Sequence, residues 1–176
     1  MSKLFDLQNK NVLLTGASKG MGLAMAQGLV NHGANVVISS RKLDQCQKAV
    51  DTINESVMQE KAFAFSCNAS SKDELNALVD FSISKLGSIT TLVCNAGVNS
   101  FFGSMSEIDD ESYDKTMNTN VKSNHWLINM VSPSMKESGG GSIMITSSIA
   151  AFDASETLGA YSLSLIHISE PTRPYL

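Results

Sequence analysis

Five short apolar runs recur along the chain, and each has the length of a strand that is buried on both faces. They cover residues 11–14, 35–39, 62–66, 91–94 and 142–146. Longer stretches with apolar residues at helical spacing lie between them, over residues 21–31, 43–57, 72–86 and from about 109 to 136. Glycines follow these stretches at Gly33, Gly87 and 139–141, where helices commonly end.

The alternation of strands with helices predicts one architecture. Parallel strands joined through helices form right-handed crossovers, which place helices on both sides of one sheet. We therefore expect an α/β fold with a doubly wound, Rossmann-like parallel sheet. No repeat and no low-complexity linker interrupts the pattern, so residues 1–162 are predicted to form one dinucleotide-binding domain.

Composition and charge narrow the class of partner. The chain has 176 residues, of which 43% are hydrophobic and 17% charged, as in a globular domain. Its net charge of −4 and the lack of a Lys/Arg run argue against binding to nucleic acid or to an anionic membrane surface. No stretch resembles a signal peptide or a bilayer span, so we expect a cytoplasmic protein. The three cysteines and three histidines are widely separated, which predicts free thiols and no metal site.

The turn over residues 15–22 carries the clearest chemical signal, because a predicted strand precedes it and a predicted helix follows it. Its first glycine allows a sharp exit from the strand, its second lets a pyrophosphate approach the backbone, and its third lets helix and sheet pack closely. Free N–H groups and the positive end of the helix dipole would then face an anion. The candidate binding residues in this turn are Gly16, Ser18, Lys19, Gly20, Met21 and Gly22.

The residues after the second predicted strand indicate which dinucleotide fits. An NAD site usually has an acidic residue there to bind the ribose 2′-OH, whereas this chain has Ser40 and Arg41. A carboxylate would repel a 2′-phosphate, while a guanidinium can pair with it through two hydrogen bonds. Lys19 adds a second cation on the same side. We therefore predict NADP as the cofactor.

The order and spacing of several motifs resemble those of the short-chain dehydrogenase/reductase family. The glycine turn matches the family pattern T-G-x-x-x-G-x-G, and Asn95-Ala96-Gly97 follows the fourth predicted strand. Ser148 precedes Tyr161 by 13 positions, as the family's active-site serine precedes its tyrosine. The likeness covers roughly residues 6–162 and includes Asn120.

This resemblance implies an enzyme that transfers a hydride between a nicotinamide cofactor and a small-molecule carbonyl or secondary alcohol. It implies that Tyr161 transfers the proton, that Ser148 holds the carbonyl and that Asn120 fixes a relay water. It also places Asn68, where the family commonly has Asp, at the adenine amino group, and the motif Asn95-Ala96-Gly97 beside the cofactor. For the intact protein it implies a homodimer or a homotetramer.

One position departs from the family pattern at the catalytic centre. The family has a lysine four residues after its tyrosine, whereas this chain has Leu165. A cation about 4 Å from a phenolate, at an effective dielectric of about 20, is worth up to roughly 4 kcal/mol. From about Leu163 the sequence also resembles a translated sequencing adaptor. We therefore expect residues 163–176 to be a non-native tail that continues no helix to a sixth strand, a sheet incomplete at its C-terminal side, and no turnover by this chain.

A second hypothesis from the same residues is a catalytically dead protein that senses NADP. Leu165 favours this hypothesis. The retention of Ser148, Tyr161 and Asn120 favours the enzyme, because a sensor needs no acid/base set. A phosphate-transferring ATPase is disfavoured, since the glycine turn lacks the Gly-Lys-Ser/Thr ending that such enzymes need.

Overall fold

The computed structural model describes residues 5–153 and 155–169, where strands alternate with helices as predicted. The strands are β1 (Asn11–Thr15), β2 (Asn35–Ser40), β3 (Ala62–Ser66), β4 (Thr91–Cys94) and β5 (Ser142–Ile145). The α-helices are α1 (Gly20–Asn31), α2 (Leu43–Val57), α3 (Lys72–Leu86), α4 (Asp110–Met117), α5 (Ser123–Glu137) and α6 (Gly159–Ser169). A π-turn (Asn118–Lys122) joins α4 to α5, and a 3-10 turn (Ile149–Ala151) follows β5.

The five strands form one parallel sheet in the order β3-β2-β1-β4-β5. The predicted α/β fold with a Rossmann-like sheet is therefore confirmed. From β1 the chain builds the sheet outward through β2 and β3, and it then returns to the other side of β1 for β4 and β5. Sheets of this kind bind ligands where the strand order reverses, beyond the carboxyl ends of the strands.

Alternate residues of β1 show why both faces of the sheet are covered. Val12 and Leu14 pack with residues of α1 and α2, whereas Leu13 packs with residues of α3 and α5. All three are at most 1% exposed, as expected for a strand buried on both faces. Helices α1 and α2 thus cover one face of the sheet, and α3 and α5 cover the other.

The predicted long helix over residues 109–136 is divided in the structure. Asp109 caps α4, because its carboxylate accepts a hydrogen bond from the Ser112 N–H at 2.7 Å. In the π-turn, the Ser123 N–H donates to the Asn118 carbonyl, five residues earlier rather than four. Such a turn adds one residue without breaking the apolar pattern, so the periodicity did not predict it. It contains Asn120 and therefore sets the position of a candidate catalytic residue.

Helix α6 extends to Ser169, into the predicted tail. The expectation that no helix leads on to a sixth strand concerns residues outside the described part of the chain and stays a prediction. Leucine and isoleucine are acceptable helix formers, and Ser164 and Leu165 are at most 4% exposed against the rest of the fold. The domain boundary at residue 162 stays a prediction. β5 is an edge strand of the sheet, with Met144 58% exposed. Among the described residues, no helix combines the length and apolar character needed to cross a membrane.

Candidate functional site

An open groove of about 710 Å³ lies at the carboxyl ends of β1 to β4. It extends from the glycine turn, across the residues that follow β2 and β3, to the segment that follows β4. The predicted binding residues that line it are Gly16, Ser18, Lys19, Ser40, Arg41, Asn68, Asn95, Ala96 and Gly97. The fold therefore brings nine residues from four separate segments into one site.

Close packing explains two of the glycines in the turn after β1. Gly16 has φ +65°, and a Cβ on it would lie 2.8 Å from the Ala96 Cα. A Cβ on Gly22 would lie 2.7 Å from the Ala17 Cα and would also contact the Gly16 carbonyl. Neither Gly20 nor Gly22 is among the residues that line the groove.

The segment after β4 is tied to the end of β1 by hydrogen bonds. The Thr15 hydroxyl oxygen accepts from the N–H groups of Asn95 and Ala96, both at 3.1 Å. The Asn95 side-chain amide donates to the carbonyls of Thr15 at 3.1 Å and Gly16 at 3.0 Å. Its oxygen accepts from the Thr146 hydroxyl at 3.2 Å, just after β5. Asn95 therefore holds three strand ends together beneath the groove.

Among the residues that the structure describes, four cationic side chains and no carboxylate line the groove. Lys19 comes from the glycine turn, and Arg41 and Lys42 follow β2. Lys115 comes from α4 and was not predicted as a site residue. Because like charges repel unless an anion lies between them, this lining favours a ligand with several negative charges.

The loop after β3 contributes polar groups to the groove. Asn68 uses its backbone N–H to bind the Glu74 carboxylate at 2.8 Å, and its side-chain oxygen accepts from the Ser70 N–H at 3.1 Å. A carbonyl oxygen has two lone pairs, so this oxygen can still accept one more hydrogen bond. The Ser70 and Thr119 hydroxyls lie 2.7 Å apart and connect the loop to the π-turn.

A smaller cavity of about 230 Å³ lies beside the groove, toward β5. Tyr161 and Asn120 line it, as does Met21 from the glycine turn. Leu165, one helical turn after Tyr161, lines it too, so an apolar group occupies the position beside the tyrosine. The structure thus brings two of the three predicted catalytic residues together, with Leu165 next to them.

Asn120 makes several hydrogen bonds within the protein. Its side-chain oxygen accepts from the Val98 N–H, and its amide donates to the Val98 carbonyl, both at 2.8 Å. The same amide donates to the Ser164 hydroxyl at 2.9 Å, and the Asn124 amide donates to the Asn120 carbonyl at 2.7 Å. Asn120 therefore links the segment after β4 to α6, which carries Tyr161.

Ser148 lies outside both cavities, whereas the adjacent Ser147 lines the smaller one. The Ser148 hydroxyl accepts from the Ala150 N–H at 3.2 Å and so caps the 3-10 turn after β5. Its catalytic role stays a prediction. The sequence-based prediction also missed Lys115 and Thr119, which both line the groove. Their spacing of four residues in a helical segment places them on one face, which was the available signal.

The cysteines are free and buried. Burial raises the pKa of the Cys94 thiol to about 12, and burial together with the nearby Glu74 carboxylate raises that of Cys67 to about 12. Both thiols are thus neutral near pH 7 and poor nucleophiles. In the described part of the chain, no three His, Cys, Asp or Glu residues lie close enough together to hold a metal ion.

Comparison with known proteins gives one consistent family. Residues 10–166 match the family model for short chain dehydrogenase. The chain is 37% identical, over 164 residues, to dehydrogenase/reductase SDR family member 4 of Homo sapiens and of Pongo abelii. These matches cover 93% of this chain but 58% of each relative, so the chain spans little more than half the length of these relatives.

Solved structures agree with this match. A short-chain type dehydrogenase/reductase from Mycobacterium marinum superposes with a TM-score of 0.87 at 30% identity, covering 94% of this chain and 65% of that one. A 7α-hydroxysteroid dehydrogenase in complex with NADH and 7-oxo glycochenodeoxycholic acid also gives a TM-score of 0.87, at 34% identity. That match covers 93% of this chain and 62% of the other.

Proposed function

Since this chain belongs to the short-chain dehydrogenase family, we propose that the whole protein is an NADP(H)-dependent oxidoreductase. It acts on the carbonyl or secondary alcohol group of a small molecule. The observation that carries this proposal is the groove at the carboxyl ends of the strands, where the glycine turn, Lys19 and Arg41 lie together and none of the described carboxylates is part of the lining.

The groove residues fit a dinucleotide. Its volume of about 710 Å³ lies within the range of roughly 300–1,000 Å³ in which proteins bind cofactors. A Cβ on Gly20 would meet no atom of residues 5–153 and 155–169 within 4 Å, so the turn is open on that side for a diphosphate. Several solved structures similar to this chain are described with NADH or NAD, so the choice of NADP rests on Ser40 and Arg41 of this chain. Arg41 would bind the 2′-phosphate, with Lys19 as the second cation.

The smaller cavity is the proposed place of the chemistry. The nicotinamide, when bound, supplies or accepts the hydride. Tyr161 gives the proton to the carbonyl oxygen in reduction, or takes it from the alcohol in oxidation, as a positioned acid/base group. Ser148 holds the carbonyl by a hydrogen bond after a local rearrangement, since its hydroxyl now caps the 3-10 turn. Asn120 fixes the relay water and holds α6 in place.

Leu165 explains why we propose that this chain itself shows no turnover. It lies 4% exposed in the cavity beside Tyr161, where an apolar side chain cannot stabilise a phenolate. The same observation favours the second candidate function, a protein that binds NADP without catalysis. The native DNA sequence at codon 165 separates the two: a lysine codon supports the enzyme, and a leucine codon supports the sensor.

We also propose a homodimer or homotetramer and a cytoplasmic location for the whole protein. The oligomeric state rests on family resemblance alone. The location is supported by the three free cysteines, which suit a reducing compartment.

Arg41→Gln tests the cofactor proposal directly, by fluorescence titration of NADPH and NADH. Loss of a charge-assisted hydrogen bond of about 1.5–3 kcal/mol should raise the Kd for NADPH roughly tenfold to a hundredfold. The Kd for NADH should stay unchanged, because NADH lacks the 2′-phosphate. An equal change for both ligands would contradict the assignment of Arg41. Turnover is measured alongside by loss of NADPH absorbance with a panel of ketones, and turnover by this chain would contradict the proposed effect of Leu165.

A further inference from the structure

Lys115, near the end of α4, adds a cation to one wall of the groove. The π-turn and the loop after β3 form the rest of this wall. Lys115 lines the groove together with Thr119, one helical turn later. Its side chain makes no ion pair, hydrogen bond or ring contact with any residue that the structure describes. Glu111 precedes it by four residues on the same helix, the spacing at which such pairs form, and is not paired with it. The ammonium of Lys115 is therefore available to a ligand in the groove.

Lys115 and Arg41 line the same groove but belong to different parts of the fold. Arg41 leads into α2, which packs on the same face as α1. Lys115 belongs to α4, which continues through the π-turn into α5 on the other face. A ligand in the groove therefore meets cations from two separate segments of the chain.

Hydrogen bonds fix the wall on which Lys115 stands. The Thr119 hydroxyl lies 2.7 Å from the Ser70 hydroxyl, and the Ser70 N–H donates to the side-chain oxygen of Asn68. Thr119 is 6% exposed, so this link is largely protected from water. Lys115 thus extends from an anchored surface next to Asn68, not from a free helix end.

Because this wall lies beside Asn68, its position indicates which part of the ligand Lys115 contacts. Under the proposed function, on which this inference rests, the diphosphate lies over the glycine turn and the adenosine extends toward β2 and β3. Arg41 takes the 2′-phosphate and Asn68 faces the adenine. We propose that Lys115 is an adenine-binding residue, whose ammonium donates a hydrogen bond to a ring nitrogen of the base.

This assignment gives Lys115 a signature different from that of Arg41. Adenine is common to NADPH and NADH, so Lys115 contributes equally to the affinity for both. Arg41 contributes only where the 2′-phosphate is present. The two residues can therefore be separated by measuring both dinucleotides on the same variants.

The test is a calorimetric titration of NADPH and NADH into the wild-type chain, Lys115→Met and a control, Lys136→Met. Lys136 is an exposed lysine of α5 that lines neither cavity, so its variant loses the same charge away from the groove. Lys115→Met should raise the Kd for both dinucleotides by about threefold to tenfold, the range for one hydrogen bond, and leave their ratio unchanged. Lys136→Met should leave both Kd values unchanged.

The outcomes separate this inference from the proposed function. If the wild type binds NADPH and Lys115→Met binds it equally well, the role of Lys115 is refuted while the proposed function stands. A loss confined to NADPH would place Lys115 at the 2′-phosphate and overturn the adenine assignment. If the wild type binds neither dinucleotide, the proposed function and this inference fall together.

Discussion

Two glycines of α1 should respond in opposite ways to the same substitution. In Gly22→Ala, the new methyl group would lie 2.7 Å from both the Ala17 Cα and the Asn95 Nδ2, well inside van der Waals contact. Part of what it meets is backbone, so the glycine turn itself must move. A Cβ on Gly28 of the same helix would meet no atom of the described part of the chain within 4 Å.

The magnitudes follow from these contacts. Replacing a helical glycine by alanine stabilises a helix by about 1 kcal/mol, and this gain applies to both variants. Overpacking costs about 1–3 kcal/mol and applies only to Gly22→Ala. The two variants should therefore differ in unfolding free energy by about 1–3 kcal/mol, with Gly28→Ala more stable than the wild type. Because the propensity term cancels, the difference measures the close packing of the turn.

Urea denaturation followed by circular dichroism measures both variants against the wild type, and NADPH titration follows on the same samples. Gly22→Ala should also bind NADPH more weakly, since the displaced turn is the proposed diphosphate site, whereas Gly28→Ala should bind it normally. Equal stabilities of the two variants would refute the claim that the turn is packed against the segment after β4.

Three further outcomes are expected. Thr15→Val should lower the unfolding free energy measured by urea denaturation by about 1–3 kcal/mol, because the N–H groups of Asn95 and Ala96 both lose their acceptor. An unchanged unfolding free energy would show that water replaces the Thr15 hydroxyl as the acceptor. The pKa of the Cys94 thiol is raised in the folded state, so the neutral thiol favours folding fully below the unfolded pKa of about 8.5, and this contribution is lost as the pH rises. The unfolding free energy should therefore fall between about pH 8.5 and 12. Cys94→Ala should make that fall smaller. Met144→Lys should reduce aggregation, measured by light scattering, because β5 is an edge strand with Met144 58% exposed. Unchanged scattering would show that the chains do not aggregate through this edge.

Apolar periodicity was enough to predict the strands and most helices. β3, β4, α2 and α3 have the predicted bounds, because their apolar residues face a core on a fixed period. The π-turn could not be predicted in this way, since it depends on one extra residue in a hydrogen-bond pattern. The helical conformation of residues 163–169, in the predicted tail, follows from leucine and isoleucine residues that are acceptable helix formers.

The candidate site was predictable only in part. Motif spacing identified Tyr161 and Asn120, which the structure places at one cavity. The same spacing selected Ser148, yet it is Ser147 that lines the cavity, because the direction of a side chain depends on the backbone after β5. Lys115 was missed because a charged residue on a helix has the pattern of an ordinary solvated face. Only the fold shows that this face borders the groove.

The central claim is that the glycine turn and the cations after β2 bind a 2′-phosphorylated dinucleotide. Calorimetric titration of the chain with NADPH and with NADH, at the same ionic strength, tests it most directly. We expect saturable binding of NADPH at one site, at least roughly tenfold tighter than that of NADH, as one charge-assisted hydrogen bond would give. No heat with NADPH, or equal affinity for the two dinucleotides, would contradict it.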